Sequence, residues 1–234
     1  MIDFILLGIL LGVTWCVASE GAWGAVLTFF VVVFSGLLAM NFFEPLAGWL
    51  AVQVPSWRDM FDVLTLVGLF ILFVCLMRFG TEYIAPTMIQ LHTLAYEGLR
   101  WGFGFLTAYV TMAILLTALH TAPFPREFMG FKAERKNLLS VAAPDRQWLG
   151  FVQHVSEHIF ARRQLVQDSQ GQIRTVKRMF DGLQNPDPNR QDEPLSTFLI
   201  RYASRREMLA GGAGSLAAPA PASQSGGPRG GPVF

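Results

Sequence analysis

The stretch GAWGAVLTFFVVVFSGLLAMNFF, residues 21–43, decides the fold class of this chain. It contains 23 consecutive residues without a charged side chain and lies between Glu20 and Glu44. As an α-helix it would be about 35 Å long, enough to cross a hydrocarbon core about 30 Å thick. Its apolar residues surround the helix rather than forming one stripe, which is typical of a helix in lipid. The stretch therefore predicts a membrane span.

Three more uncharged runs extend this pattern on both sides. Residues 4–19 form a run of 16, residues 63–77 a run of 15, and residues 101–119 a third. With flanking residues that reach the interface, we predict spans over residues 3–19, 22–43, 60–79 and 95–119. Asp3 stands where a signal peptide would carry a basic residue, so we expect the first span to be retained. The predicted transmembrane domain is residues 1–121.

The composition supports a membrane protein with two unlike parts. Only 15% of the 234 residues are charged and 52% are hydrophobic, against about 25% charged residues in an average soluble domain. Residues 1–120 carry three bases and seven acids, whereas the remainder carries 15 bases and ten acids. The predicted fold class is all-α: an integral membrane four-helix bundle with a C-terminal polar helical extension and a disordered tail.

Small residues recur at four-residue spacing inside the predicted spans. In lipid, such spacing lets two helix backbones approach closely. The pairs are Gly8 with Gly12, Gly98 with Gly102, and Gly104 with Ala108. They are the candidate helix-packing positions.

Five acidic residues of the first half cluster at predicted helix ends, where water can solvate them. They are Glu20, Glu44, Asp62, Glu82 and Glu97. A small transporter or channel subunit is the alternative function, and it would place ionisable groups near mid-membrane. The centres of the four runs are uncharged, which disfavours that alternative.

The polar extension is predicted over residues 122–208. Apolar residues at three-to-four spacing predict an amphipathic helix over residues 145–168, with Asp145 as its N-cap. We expect shorter helices over residues 174–183 and 195–208. The Gly/Ala/Pro-rich residues 209–234 are predicted to be a disordered tail.

One motif in the amphipathic helix carries a chemical hypothesis. His154, Glu157 and His158 match the H-x-x-E-H pattern of inverted zincins, in which two histidines bind Zn²⁺ and the glutamate activates water. Such an enzyme needs a third ligand from a folded catalytic domain, for which about fifty residues of plausible structure remain. A membrane metalloprotease is thus a remote alternative, and we expect no catalytic residue, metal or cofactor.

The membrane half resembles the colicin V production (CvpA) family of small bacterial multi-pass proteins. The resemblance rests on Asp3 at the start of the first span, Gly21 in the connection EGAWG, Pro45 in the segment PLAGWL, and Gly98 in the stretch GLRWGFG. It covers roughly residues 1–120. It implies four spans, a role in colicin V (toxin) production or export and in the cell envelope, and no catalytic residues. The chain departs from the family at Glu20, where the family usually has Arg.

With four spans, both termini lie on the same side of the membrane. The positive-inside count gives five bases on the terminal side against Arg78 and Arg100 on the other, which favours cytoplasmic termini. The resemblance implies extracytoplasmic termini in the bacterial inner membrane, and that is the placement we adopt. The expected partners are the lipid bilayer and either further copies of this chain or other envelope proteins. The basic excess of the second half is too diffuse to indicate nucleic-acid binding.

Overall fold

The computed structural model describes residues 2–84, 92–124, 127–128, 131–132, 136–139, 141–159, 162–167, 173–178, 182–183, 195–196 and 198–209. Four of its helices are long and apolar enough to cross a membrane. They are α1 (Ile2–Ser19), α2 (Gly21–Gln53), α3 (Phe61–Ile84) and α4 (Thr93–Thr121). The predicted all-α four-helix membrane bundle is therefore confirmed, and the chain is a multi-pass helical membrane protein.

Helix α2 is longer than the sequence pattern predicts. We expected the span to end near residue 43, where Glu44 closes the uncharged run, and Pro45 lacks the amide hydrogen that an internal helix residue donates. The helix instead continues through Pro45 to Gln53. Its buried face continues as well, since Phe43 is fully buried and Ala47 is 3% exposed. Packing of that face compensates for the one backbone hydrogen bond that proline removes.

The turn between α1 and α2 is tight. Glu20 is the single residue between the two helices, and Gly21 has a φ of 87°. That conformation is costly for a residue with a Cβ atom. A Cβ at Gly21 would also lie 2.9 Å from the Tyr96 hydroxyl. Both the backbone angle and the close neighbour require glycine here.

Helix α4 lies at the centre of the bundle. It packs on α1, on α2 and on a fifth helix, α5 (Pro144–His158), while α2 also packs along α3. One apolar core joins α2, α3, α4 and α5 and includes Met40, Leu66, Ile114 and Trp148. A second core joins α1 and α4. The polar extension therefore contributes to the core of the membrane domain.

Charged and polar residues form two layers at the ends of the bundle. The turn-side rim lies beside the α1–α2 turn and consists of Glu20, Arg78, Glu82, Glu97 and Arg100. The terminal-side rim lies where α1 begins and α4 ends and consists of Asp3, Glu44, Asp59, Asp62 and His120. Along α3, Asp62 and Arg78 are about 24 Å apart, close to the thickness of a hydrocarbon core.

The extension differs from its prediction in two places. Helix α5 ends at His158 instead of residue 168, and residues Arg162–Gln167 form a strand, β3. This strand pairs antiparallel with β4 (Ile173–Arg178), where a short helix was predicted. Leu165, Val166, Ile173 and Val176 occupy paired positions, and β-branched residues suit a pleated strand. The short apolar runs therefore belong to strands.

The remaining described elements of the extension are short. Two-residue strands pair as β1 (Glu127–Phe128) with β2 (Phe131–Lys132) and as β5 (Gly182–Leu183) with β6 (Leu195–Ser196). Helix α6 (Phe198–Leu209) occupies most of the predicted helix 195–208. The predicted tail lies outside the described residues from residue 210 onward.

Candidate functional site

A fully buried histidine–aspartate pair joins the membrane bundle to the extension. The Nε2 atom of His120, in the last turn of α4, lies 2.7 Å from Oδ2 of Asp145, in the first turn of α5. Both side chains are 0% exposed. The two residues are 25 positions apart in the sequence. Their contact therefore closes the loop that brings α5 back to α4.

The surroundings of this pair are aromatic and basic. The His120 ring meets the edge of the Phe131 ring, with 5.0 Å between centroids. The guanidinium carbon of Arg206, from α6, lies 5.7 Å from the same Phe131 centroid. In the part of the chain that the structure describes, His120 Nδ1 and Asp145 Oδ1 have no protein hydrogen-bond partner. Elements from α4, α5, α6 and the β1–β2 segment thus converge on one polar site.

The sequence pattern led to a wrong role for Asp145. We predicted that its side chain caps the helix, but the N-cap residue is Ala143 and no side chain caps that end. The Asp145 carboxylate turns to His120 instead. The sequence signal that could have found this site was His120, which directly follows the predicted fourth span over residues 95–119.

Beside the buried pair, an apolar groove of 550 Å³ opens on the flank of the bundle. Phe29, Phe30 and Phe34 of α2 form one wall, Tyr109 and Ala113 of α4 form the floor, and α5 forms the other wall. The Tyr109 hydroxyl donates a hydrogen bond to the side-chain carbonyl of Gln147 on α5. The groove was not predicted, because it exists only where α5 lies across two other helices.

The turn-side rim consists of ion pairs and hydrogen bonds that involve all four long helices. Arg78 binds the Glu20 carboxylate at 2.7 Å and the Glu82 carboxylate at 3.1 Å. It also donates to the Thr28 hydroxyl at 2.7 Å, and that hydroxyl donates to Glu20 at 2.9 Å. Arg100 donates to the Ala18 carbonyl at 2.6 Å. Arg78 and Glu82 thus form a local pair within α3, and Glu20 in the α1–α2 turn connects Arg78 to Thr28 of α2.

The terminal-side rim holds α6 against the bundle. Arg205 binds Asp62, and its other nitrogen lies 3.3 Å from Asp59. Arg201 binds Glu44, which also accepts a hydrogen bond from the Tyr202 hydroxyl at 3.3 Å. Glu44 of α2 and Asp62 of α3 therefore have partners in the extension, whereas we expected water to solvate them.

Among the small-residue pairs, Gly104 and Ala108 pack inside the bundle. Ala108 is fully buried, and a Cβ at Gly104 would lie 3.1 Å from the Thr14 carbonyl oxygen. Among the described residues, no atom comes within 4 Å of a Cβ placed on the other four glycines. Those glycines are Gly8, Gly12, Gly98 and Gly102. A packing role for them stays a prediction.

The four positions that carry the family resemblance have different surroundings. The Asp3 carboxylate accepts a hydrogen bond of 2.8 Å from the backbone amide of Leu139, which ties α1 to the extension. Gly21 forms the α1–α2 turn, Pro45 lies inside α2, and Gly98 lies on an open face of α4. Asp3 and Gly21 therefore have structural roles that their chemistry explains, the first as a hydrogen-bond acceptor and the second as a residue that tolerates a positive φ.

The two histidines of the H-x-x-E-H motif, His154 and His158, are exposed on α5. The His154 and His158 rings stack with 4.3 Å between centroids, and His158 Nδ1 lies 3.1 Å from the His154 carbonyl oxygen. Within the described ranges, no group of three His, Cys, Asp or Glu side chains could hold a metal ion. The backbone of Glu157 belongs to α5. The absence of a metal site stays a prediction.

Comparisons with protein-family models, with curated proteins and with solved structures give no match for this chain.

Proposed function

We propose that this protein is a non-enzymatic membrane protein of the CvpA type, located in the bacterial inner membrane. Its role would be in colicin V production or export, and more broadly in maintenance of the cell envelope. The observation that carries the proposal is the uncharged layer between the two rims. This layer suits an anchor and assembly platform better than an ion or solute path.

Four threonine hydroxyls of that layer support the same interpretation, whereas the Ser35 hydroxyl of α2 donates to the Met77 sulfur of α3 at 3.5 Å. Thr14, Thr107, Thr111 and Thr117 each donate to a carbonyl oxygen four residues earlier in their own helix. These hydrogen bonds satisfy the hydroxyls inside single helices, so none of them lines a polar route between helices. A transporter or channel subunit would need such a route.

The docked extension gives this anchor its second part. Arg205 of α6 binds Asp62 in the first turn of α3, Arg201 of α6 binds Glu44 inside α2, and Asp145 of α5 binds His120. Both helices of the extension are thus attached to the bundle by charged or polar contacts. A platform of this kind can present the extension in one orientation to an export or envelope partner.

A deletion and complementation experiment tests the proposed role. In a colicin V-producing strain lacking this gene, we expect less toxin in the medium and greater sensitivity to detergent, with both restored by the full chain. The His154→Ala/His158→Ala double variant should restore them equally, because the proposed function uses no metal chemistry. Unchanged toxin release and detergent sensitivity in the deletion strain would refute the proposal.

Reporter fusions test the proposed orientation. Fusions after residues 55, 90 and 140 should report the same side at 55 and 140 and the opposite side at 90. An extracytoplasmic signal at residue 140 agrees with the family-based placement. A cytoplasmic signal there would contradict it and would support the positive-inside count instead.

A further inference from the structure

Helix α5 lies beside α4 within the layer that separates the two rims. Asp145 near its start contacts His120 at the terminal-side rim. Three residues later, Trp148 packs over Gly36 of α2, where a Cβ would lie 2.6 Å from both the Trp148 indole and Ile114 of α4. Ile114 is six residues before His120, so this contact lies about 9 Å inside the rim. Helix α5 therefore runs from the terminal-side rim towards the middle of the bundle, antiparallel to α4.

The two sides of α5 differ in polarity. The side that faces the bundle is apolar and buried, and it consists of Trp148, Leu149, Val152 and Val155. The opposite side is exposed and carries Gln147, Gly150 and His154 at three-to-four spacing. We name these three residues the α5 seam. Phe151 lies beside the seam and is 41% exposed. The sequence over residues 147–156 contains no Asp, Glu, Lys or Arg, so the seam is polar but uncharged apart from the imidazole.

Lipid is an unfavourable neighbour for the α5 seam. A polar group in hydrocarbon needs a hydrogen-bond partner within protein, because no water is there to supply one. The side-chain carbonyl of Gln147 accepts a hydrogen bond from the Tyr109 hydroxyl, and the amide nitrogen of Gln147 carries two donor hydrogens of its own. The neutral imidazole of His154 adds one donor and one acceptor. A neighbour that offers donors and acceptors satisfies these groups, whereas an acyl chain offers neither.

A second copy of this chain offers the complementary groups. Two copies that cross the membrane in the same direction are related by a two-fold axis along the membrane normal, and their contact is isologous. Because α5 runs along the bundle, the two α5 helices are then parallel, and each seam residue faces its own counterpart. An amide facing an amide forms a donor–acceptor pair, and so does a neutral imidazole facing an imidazole. The uncharged sequence of residues 147–156 avoids the repulsion that facing like charges would cause.

The spacing of the seam fits two parallel helices as well. Positions 147, 150 and 154 follow the three–four alternation of a coiled-coil seam. Gly150 lies between the two polar positions, and among the described residues no atom comes within 4 Å of a Cβ placed on it. A glycine at such a position lets two helix backbones approach closely in a membrane. The seam therefore combines a close approach at its centre with polar groups that can pair on both sides.

We propose that the α5 seam is the contact surface between two parallel copies of this chain, with Gly150 at the point of closest approach. Gln147 and His154 of each copy pair with the same residues of the other copy. The dimer covers the polar side of α5, while the exposed apolar side chains of α1 and α3 face lipid. This inference goes beyond the proposed role in toxin production and does not depend on it.

Disulfide cross-linking of the full chain in bacterial membranes tests this proposal. Cys16→Ser and Cys75→Ser remove the two native thiols, and Gly150→Cys then places a single thiol in the seam. A disulfide forms only where two Cα atoms lie about 4.4–6.8 Å apart, so oxidation with copper phenanthroline should convert most of this variant to a covalent dimer. The matched control is Ile71→Cys on α3, which is 55% exposed and about 14 Å inside the same rim. The control should stay monomeric.

A second variant tests the contact without cross-linking. Gly150→Leu adds bulk at the point of closest approach and should raise the dissociation constant of the dimer by about tenfold, which corresponds to about 1.4 kcal/mol. Sedimentation equilibrium of the full chain in detergent micelles measures this constant. Since no described atom lies within 4 Å of a Cβ at this position, the unfolding of the monomer and hydrogen exchange in α5 should be the same as in the wild type. The variant therefore separates loss of the dimer from loss of the fold.

Three results would overturn the proposal. The first is a Gly150→Cys variant that stays monomeric on oxidation, the second is a disulfide to a protein other than this chain, and the third is a Gly150→Leu variant that dimerises as the wild type does. Maleimide labelling identifies the neighbour in the first case. Reaction with a membrane-impermeant maleimide would show that the seam faces water, and reaction with a membrane-permeant maleimide alone would show that it faces lipid.

Discussion

The His120–Asp145 pair should be the most costly polar contact of this chain to break. Both side chains are fully buried, and Nε2 and Oδ2 lie 2.7 Å apart. Replacing Asp145 with Ala leaves the imidazole in an environment from which it cannot reach water. Removal of one partner of a buried polar pair costs about 1–3 kcal/mol for a neutral hydrogen bond and about 3–5 kcal/mol for an ion pair. We expect a loss of about 3 kcal/mol for Asp145→Ala.

A double-mutant cycle isolates the energy of this pair from the energy of its surroundings. His120→Ala should cost somewhat more than Asp145→Ala, because it also removes the ring contact with Phe131. The double variant should cost at least about 1 kcal/mol less than the sum of the two single variants, since coupling energies of contacting residues are about 0.5–3 kcal/mol. The measurement is the free energy of unfolding in mixed micelles, followed by circular dichroism.

The control for this cycle is Glu97 with Arg100 at the turn-side rim. Their charged atoms are 3.5 Å apart, and the two side chains are 49% and 30% exposed. Exposed pairs contribute about 0.2–1 kcal/mol, so we expect a coupling energy below about 0.5 kcal/mol. Additive costs for His120→Ala and Asp145→Ala, within about 0.3 kcal/mol, would refute the reasoning that the buried pair acts as one unit.

Three further predictions concern packing and docking. Gly104→Leu should lower the free energy of unfolding by about 2 kcal/mol, because its Cβ would lie 3.1 Å from a backbone oxygen of α1, whereas Gly98→Leu should not lower it. Arg205→Glu should release α6 and speed its proteolysis, and adding Asp62→Arg should restore protection by reversing the ion pair. Gly36→Leu should increase hydrogen exchange in α5, because a Cβ there would lie 2.6 Å from the buried indole ring of that helix.

Each of these predictions has an outcome that contradicts it. Equal stability of the leucine variants at positions 104 and 98 would mean that α1 does not pack closely on α4. Proteolysis of the charge-reversed double variant at the rate of the single variant would show that the ion pair does not hold α6. If hydrogen exchange in α5 is the same in Gly36→Leu as in the wild type, α5 tolerates a side chain beneath the Trp148 indole.

The number and position of the membrane spans were predictable because each depends on a local property. An uncharged apolar run long enough to cross the bilayer has no other stable environment, so residues 21–43 indicate a span without knowledge of their neighbours. The position of charged residues at the ends of the spans was predictable for the same reason, because charge is costly inside hydrocarbon. The prediction was less accurate where packing extended an element, as at Pro45, since the buried face of α2 continues past that residue.

The extension was less predictable because its apolar residues are few and its structure depends on distant partners. The pattern that predicted a helix over residues 145–168 is satisfied only to His158. Beyond that point, pairing with residues 173–178 determines the backbone. A short apolar run fits a helix or a strand until its partner is known.

The sequence by itself determined that this chain is a four-span helical membrane protein with charged ends, since the cost of placing charge in hydrocarbon acts on each segment separately. The tertiary structure alone decided that α5 lies on α4, that Asp145 binds His120 rather than capping its own helix, and that α6 pairs with Glu44 of α2 and Asp62 of α3. These contacts join residues 25 to 157 positions apart. They depend on the positions of whole helices, which no local pattern encodes.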